Sequence, residues 1–223
     1  MNLSIRQLAS VLALAVCLSA CTTTPEPVAA PAAEQPPSDQ AMKTLSADVF
    51  TYGYPLVLMD VTREVMTART PANSFNHHRA LPDAALASGV SANADTLIST
   101  AWVDVSAEPV VLSVPDTGGR YYVMQMVDAW TNVFAAPGKR TTGTRRGAFA
   151  IVGPDWRGTL PKGVTEVRAP TGMVWLIGRF QTNGKGDYGN VHRLQDQLRL
   201  VQLSAWRKGN RNPPPAMPRV GLI

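Results

Sequence analysis

Between Asp95 and Phe180 the chain is cut into short β-rich segments, and that rhythm restricts the fold more than any other feature. The segments are "DTLISTAWVDVS", "PVVLSVP", "GRYYVMQMVDAW", "GAFAIVGP", "VTEVRAP" and "MVWLIGRF", separated by Gly, Pro, Asp and Asn. Such spacing is expected of strands in an antiparallel β-sandwich or a jelly-roll-like domain. Apolar and polar residues alternate in the second and third segments, so one face is expected in the core and the other partly wet. "PDTGG", between Val114 and Arg120, reads as a hairpin loop. Met124 and Met126 alternate along a strand and read as core filling.

Helices are expected on either side of these strands. Leu45, Val49, Tyr52, Leu56 and Met59 recur at spacings of four and three, which predicts a helix from about Ser46 to Ala68, laid on the core. Ser46 is the expected N-cap, and Pro55 removes a backbone donor and is expected to kink the helix. Downstream, Asp187 is expected to cap a helix that carries Val191, Leu194, Leu198 and Val201 on one face and runs to about Ser204. The fold class is therefore α+β: an antiparallel β-sandwich or jelly-roll-like domain over residues 45–206 with an N-terminal and a C-terminal helix. With 45% hydrophobic residues, one such core can be filled.

The first 44 residues carry address information. Arg6 supplies a positive n-region, "LASVLALAVCLSA" is an apolar stretch too short to span a bilayer comfortably, and "LSAC" closes it as a lipobox. Residues 1–20 are expected to be removed as a signal peptide, leaving Cys21 as the lipidated first residue. Thr22, rather than Asp, follows it, and the resemblance to sorted bacterial lipoproteins implies an outer-membrane lipoprotein facing the periplasm. Residues 21–44 are rich in Pro and Ala and read as an extended tether, because such a composition buries little apolar area. Residues 207–223 read as a Pro-rich tail.

Charge and cysteine count exclude several functions. The net charge is +5, but the densest basic group, Lys139, Arg140, Arg145 and Arg146, is interrupted by Thr and Gly and has no interleaved aromatics, so no nucleic-acid partner is expected. Cys17 leaves with the signal peptide and Cys21 takes lipid, so the folded domain is left without a thiol nucleophile, a Cys-ligated metal site or a disulfide. The chain also lacks a G-x-S-x-G elbow, an H-E-x-x-H helix, a Walker loop and an EF-hand.

Two of the three histidines are adjacent, in "SFNHHR". Neighbours on a strand point to opposite faces, so His77 and His78 can share an ion only in a bent loop, with Asp95 or Asp128 to complete the site. No metal or other cofactor is assigned. His77, Arg79, Asn93 and Asp95 together offer a base, a cationic fork, an amide and a carboxylate, a set suited to gripping a carboxylate-bearing or hydroxylated ligand. The alternative is structural: an Asp95–Arg79 ion pair, with Asn93 capping the loop before a strand. Asp128, Trp130 and Asn132 sit at a strand end where an aromatic beside polar groups either lines a pocket or fills the core. His192 is expected to pair with Asp196 one helical turn on.

"YGYPLVLMDVTR", "NSFNHHRALPDA", "NADTLIST", "PVVLSVPDTGGRYYVMQMVDAWTNVFA", "GKRTTGT" and "MVWLIGRFQTNG" together resemble the bacterial envelope family called domain of unknown function 1254, over about residues 50–206. One family motif is similar to N-x-F-x-H-x-R followed by Pro-Asp and falls on Asn73, Phe75, His77, Arg79, Pro82 and Asp83. A second falls on Asn93, Asp95, Thr96, Leu97 and Ser99, with Ala92 in place of a proline and Ile98 in place of a tyrosine. The resemblance implies a β-sandwich-like domain with helical elements, followed in relatives by a second uncharacterised domain, and it implies no reaction. His77 is the motif histidine and His78 occupies a variable position.

Two functions follow as expectations. The first is a membrane-anchored envelope lipoprotein that binds a protein partner or a small envelope ligand, with Asn73, Arg79, Asn93, Asp128 and Trp130 as candidate ligand-binding residues. The second is a periplasm-facing hydrolase or lyase with His77 and Asp95 as catalytic groups and Arg79 and Asn93 positioning substrate. Beyond the membrane anchor on Cys21, a homo-oligomer or a separate partner chain is the expected association.

Overall fold

The computed structural model describes residues 36–82 and 93–210. The lipobox, Cys21, Asp83, Ala92 and most of the tail lie outside the described residues. The chain divides into two compact units, residues 1–45 and 46–223. In the first, the Ser38 hydroxyl accepts the Ala41 N–H at 3.3 Å and its carbonyl accepts the Met42 N–H at 2.9 Å. Helix α1 therefore spans Asp39–Thr67 and starts seven residues before the expected Ser46, because Ser38 supplies the cap. The helix runs on through Pro55, the expected kink position, because a proline removes only one N–H from the ladder.

Among the described residues, nine strands follow: β1 (Asn76–His77), β2 (Thr96–Asp104), β3 (Val110–Val114), β4 (Tyr122–Val127), β5 (Val133–Ala135), β6 (Gly147–Val152), β7 (Thr165–Arg168), β8 (Met173–Gln181) and β9 (Arg199–Gln202). They form a five-stranded sheet in the order β1-β2-β8-β4-β5 and a four-stranded sheet in the order β7-β6-β3-β9. The α+β class and the two-sheet arrangement stand as expected, with one exception to antiparallel pairing. β7 runs parallel to β6, because the connection over residues 153–164 is long enough to cross back to the same edge.

Two local expectations are corrected. "PDTGG" does not close a hairpin: β3 already has β6 and β9 as neighbours, so the loop carries the chain to the other sheet. The Asp116 carboxylate accepts the Gly118 N–H at 2.8 Å, and Gly118 and Gly119 take positive φ of 60° and 84°. The C-terminal helix is also shorter than its apolar stripe suggests. Helix α2 (Tyr188–Gln195) stops, and Leu200 and Val201 enter β9 opposite Leu112 and Val111 before helix α3 (Leu203–Arg207) begins. The free edge of β3 takes those residues as a strand.

Leu97, Val103, Leu112, Met124, Met126, Ile151, Leu176 and Phe180 are buried in the cluster between the sheets. The outer face of the five-stranded sheet is covered in part by the C-terminal half of α1, where Met59 and Met66 pack on Trp102, Trp175, Ile177, Val127 and Met173. Leu45, Val49 and Tyr52, expected on the core, are exposed, because the N-terminal half of the helix does not pack on this cluster. The outer face of the other sheet lies under Leu203, Trp206, Trp156 and Leu160. β4 alternates as expected, whereas β3 is buried on both faces, because α3 covers the side expected to be wet.

Candidate functional site

Within "SFNHHR", Asn76 and His77 form the edge strand β1. Asn73 donates its N–H to the Trp102 carbonyl at 2.7 Å, Asn76 and His77 stand opposite Thr100 and Ser99, and the His78 N–H reaches the Ile98 carbonyl at 2.8 Å. Asn73 has φ 61°, a conformation asparagine tolerates, and its buried Oδ1 accepts the Asp104 N–H at 3.0 Å. With the segment extended, the two histidines diverge. His77 stacks on Phe75 with ring centroids 5.4 Å apart, while His78 lines a cleft beside α1. Among the described residues, no three His, Cys, Asp or Glu side chains gather as metal ligands.

His77 Nδ1 shares a hydrogen bond with Ser99 Oγ at 2.9 Å. Burial, and after it the Arg79 charge, push the imidazole down to about 4, so it is neutral at neutral pH. Ser99 is fully buried and also accepts from Gln195 Nε2 at 3.1 Å. Gln195, itself fully buried on α2, lies within hydrogen-bond reach of the His78 and Ile98 carbonyls at 3.2 and 3.1 Å and takes Arg79 Nη1 on its Oε1 at 3.3 Å. Arg79 pairs with Asp196 at 2.5 Å, and the Arg79 carbonyl meets His192 Nε2 at 2.7 Å. Gln195 is thus the centre of the network. Sequence reasoning missed it because a glutamine near a helix end carries no motif signal; only Ser99, in the second motif, pointed toward it.

The predicted set does not form one open site. Arg79 takes Asp196 in place of the expected Asp95, and His192 takes the Arg79 backbone in place of the expected Asp196. The Asp95 carboxylate is exposed and makes no hydrogen bond or ion pair among the described residues. Asn93 matches its structural alternative: Oδ1 accepts the Thr96 N–H at 3.1 Å and Nδ2 donates to the Thr96 carbonyl at 2.6 Å, fixing the turn into β2. Asp128 is buried and closes the turn after β4, accepting the Trp130 and Asn132 N–H groups, each at 2.9 Å. Trp130 packs on Tyr52 of α1 with centroids 5.0 Å apart.

A different cavity draws on "SFNHHR". A cleft of about 210 Å³ opens between the end of α1 and the β1–β2 edge, lined by Met66, Arg69, Asn76, His78, Thr100 and Trp102. Thr100 Oγ1 and Trp102 Nε1 are buried without a hydrogen-bond partner, as is Nε1 of Trp175, stacked on Trp102 at 5.4 Å. Native interiors rarely leave such groups unpaired. A larger groove of about 520 Å³ runs past Arg146, Arg199 and Trp206 on the four-stranded sheet, but among the described residues no buried, unpartnered polar side-chain atom belongs to its lining.

Residues 72–202 match the family model described as protein of unknown function, DUF1254. The chain belongs to the DUF1254 family. The crystal structure of the VPA0106 protein from Vibrio parahaemolyticus is 30% identical and superposes with a TM-score of 0.66, over 79% of this chain and 42% of that chain. The chain thus spans less than half the length of that relative. A putative uncharacterised protein from Burkholderia cenocepacia is 16% identical, with a TM-score of 0.35, over 57% of this chain and 36% of that chain. No curated protein matches. Within this DUF1254 domain, "GKGDYG" at residues 184–189 has the spacing of a dinucleotide-binding glycine loop. It follows the antiparallel strand β8, and Asp187 is clamped by Arg120 at 2.6 and 2.9 Å, so the parallel β-α-β context of that motif is missing here.

Proposed function

We propose that this DUF1254 protein is a membrane-anchored envelope lipoprotein whose folded domain binds a small, acceptor-rich ligand, of the short-carboxylate class, in the cleft between α1 and the β1–β2 edge. The observation that carries the binding reading is that Thr100 and Trp102, which line the cleft, each hold a buried polar atom without a partner. An indole N–H and a guanidinium only donate, so an occupant of this cleft must accept. Arg69 and His78 supply the donors at the rim, and Met66 and the Trp102 ring supply apolar wall for a short carbon chain. The lipobox at Cys21 supports the anchor and the periplasm-facing location.

The hydrolase or lyase reading asks His77 to move a proton beside Arg79, Asn93 and Asp95. His77 is held on a buried serine, Arg79 on Asp196 and Gln195, and Asn93 on its own turn. A network satisfied by its own members favours binding elsewhere over catalysis here. Titration of the full chain with acetate, malonate and succinate, read by tryptophan fluorescence, tests the cleft. Saturable quenching that weakens at least tenfold in Arg69→Ala and in Thr100→Val, with unchanged melting temperature, is expected. A natively folded protein that responds to none of the three would end the cleft reading. Incorporation of labelled palmitate into the wild type but not into Cys21→Ala checks the anchor separately.

A further inference from the structure

Helix α1 is apolar on more than one side, and between Phe50 and Val65 the side turned away from the sheet is left exposed. Met59 and Met66 point at the five-stranded sheet, and at about 100° per residue Val61 lies roughly 200° round the helix from Met59. On that far side Phe50, Tyr54, Val57, Leu58, Val61 and Val65 are each between 48% and 69% exposed. They fall within an arc of about 100° and run roughly 22 Å along the axis. Phe50 and Tyr54 touch, with ring centroids 5.7 Å apart, so the N-terminal end of the stripe presents a continuous aromatic surface.

We propose that this stripe pairs with the same stripe of a second copy of the chain, as an antiparallel, two-fold-symmetric helix pair. Two observations select a second copy as the occupant. The six positions are symmetric about the midpoint between Val57 and Leu58, so a two-fold axis there places Phe50 against Val65 of the other copy, Tyr54 against Val61 and Val57 against Leu58. Each large ring then faces a small β-branched side chain, the large-to-small alternation that interdigitating helices need. The second observation is area. Six side chains of this size and exposure offer roughly 700 Å² per copy, close to the ~800 Å² per partner of a standard stable interface.

A bilayer surface is the competing occupant and is disfavoured. Helices that lie on membranes flank the apolar stripe with Lys and Arg, whereas the nearest ionisable neighbours of this stripe include Asp60 and Glu64. The inference stands independently of the ligand-binding cleft, although Val65 borders both.

Light scattering of the full chain across a wide concentration range tests the pairing. The wild type is expected to be a dimer that dissociates on dilution, and Leu58→Glu and Val61→Glu to be monomers with unchanged circular dichroism. Both positions are about half exposed, so the fold tolerates the charge. Oxidative cross-linking fixes the geometry: the double variant Phe50→Cys with Val65→Cys forms covalent dimers, and neither single variant does so above the wild-type background. A wild type that stays monomeric, or a dimer indifferent to both Glu variants, overturns the proposal. Cross-linking in the single variants alone overturns the antiparallel arrangement. Co-sedimentation of a monomeric wild type with phosphatidylethanolamine–phosphatidylglycerol vesicles would assign the stripe to the membrane instead.

Discussion

Gln195 shows how much one side chain can hold. Its amide faces two backbone carbonyls and Ser99, and its oxygen takes Arg79, all in a position without solvent access. Gln195→Ala opens a buried gap and strips one partner from each group. Ser99 keeps His77, the Ile98 carbonyl keeps the His78 N–H and Arg79 keeps Asp196, so unfolding free energy should fall by about 1–3 kcal/mol in urea titrations. Arg79→Ala removes the exposed pair with Asp196 and one bond each to Gln195 Oε1 and the His192 carbonyl, so about 1 kcal/mol is expected. His77 adds a pH signature. Its folded-state value is pushed down to about 4, so between pH 6.5 and 4 the unfolded chain binds the extra proton. Stability from this residue is therefore complete above pH 6.5 and lost as the pH falls toward 4. His77→Gln should flatten that slope in denaturation midpoints measured across the interval.

At the scale of elements, two glycines predict opposite outcomes. Gly138 lies where the loop after β5 crosses β4, and a Cβ there would meet the Tyr122 carbonyl oxygen at 2.5 Å and Val123 Cα at 2.9 Å. Backbone cannot yield as a side chain does, so Gly138→Ala should destabilise by about 1–3 kcal/mol. Gly53 sits in α1 with nothing within 4 Å of its Cβ position, so Gly53→Ala should stabilise by about 0.5–1 kcal/mol through helix propensity. Thermal melts of the two variants against the wild type decide both. The strands between Thr96 and Gln181 were largely legible, because their turn residues and β-branched runs are local. β1, β5 and β9 were not. β1 and β5 are only two and three residues long, and β9 has a helical apolar spacing, so each is a strand because a neighbouring edge needs a partner.

For the whole molecule, covering both sheets leaves two unusual surfaces: a cleft with orphaned donors under α1 and an apolar stripe on top of it. The Arg120–Asp187 pair ties the end of the crossover loop to the start of α2, and the Arg120 guanidinium holds the Asp187 carboxyl well below the usual carboxylate range. A depressed carboxyl contributes stability above its unfolded value and loses it as pH falls, in the same direction as His77 but further into acid. Acid unfolding of the intact protein should therefore be broad, and Asp187→Asn should remove its lower part while leaving the slope between pH 6.5 and 4 unchanged.

The α+β class, the core methionines, the family motifs and the expectation of a lipid anchor all follow from local chemistry: turn residues, side-chain periodicity and a short apolar leader are properties of neighbours in the chain. Partner choice is not local. Whether Arg79 meets Asp95 or Asp196, whether Asn93 grips a ligand or its own turn, and which of two adjacent histidines faces a cleft depend on which edges and faces pack together. Gln195 reaches Ser99 from almost a hundred residues away, through a helix end docked against a sheet edge. Only the tertiary structure brings such groups within hydrogen-bond distance, because an unpaired buried polar atom is costly and its partner is set by packing, which sequence spacing does not specify.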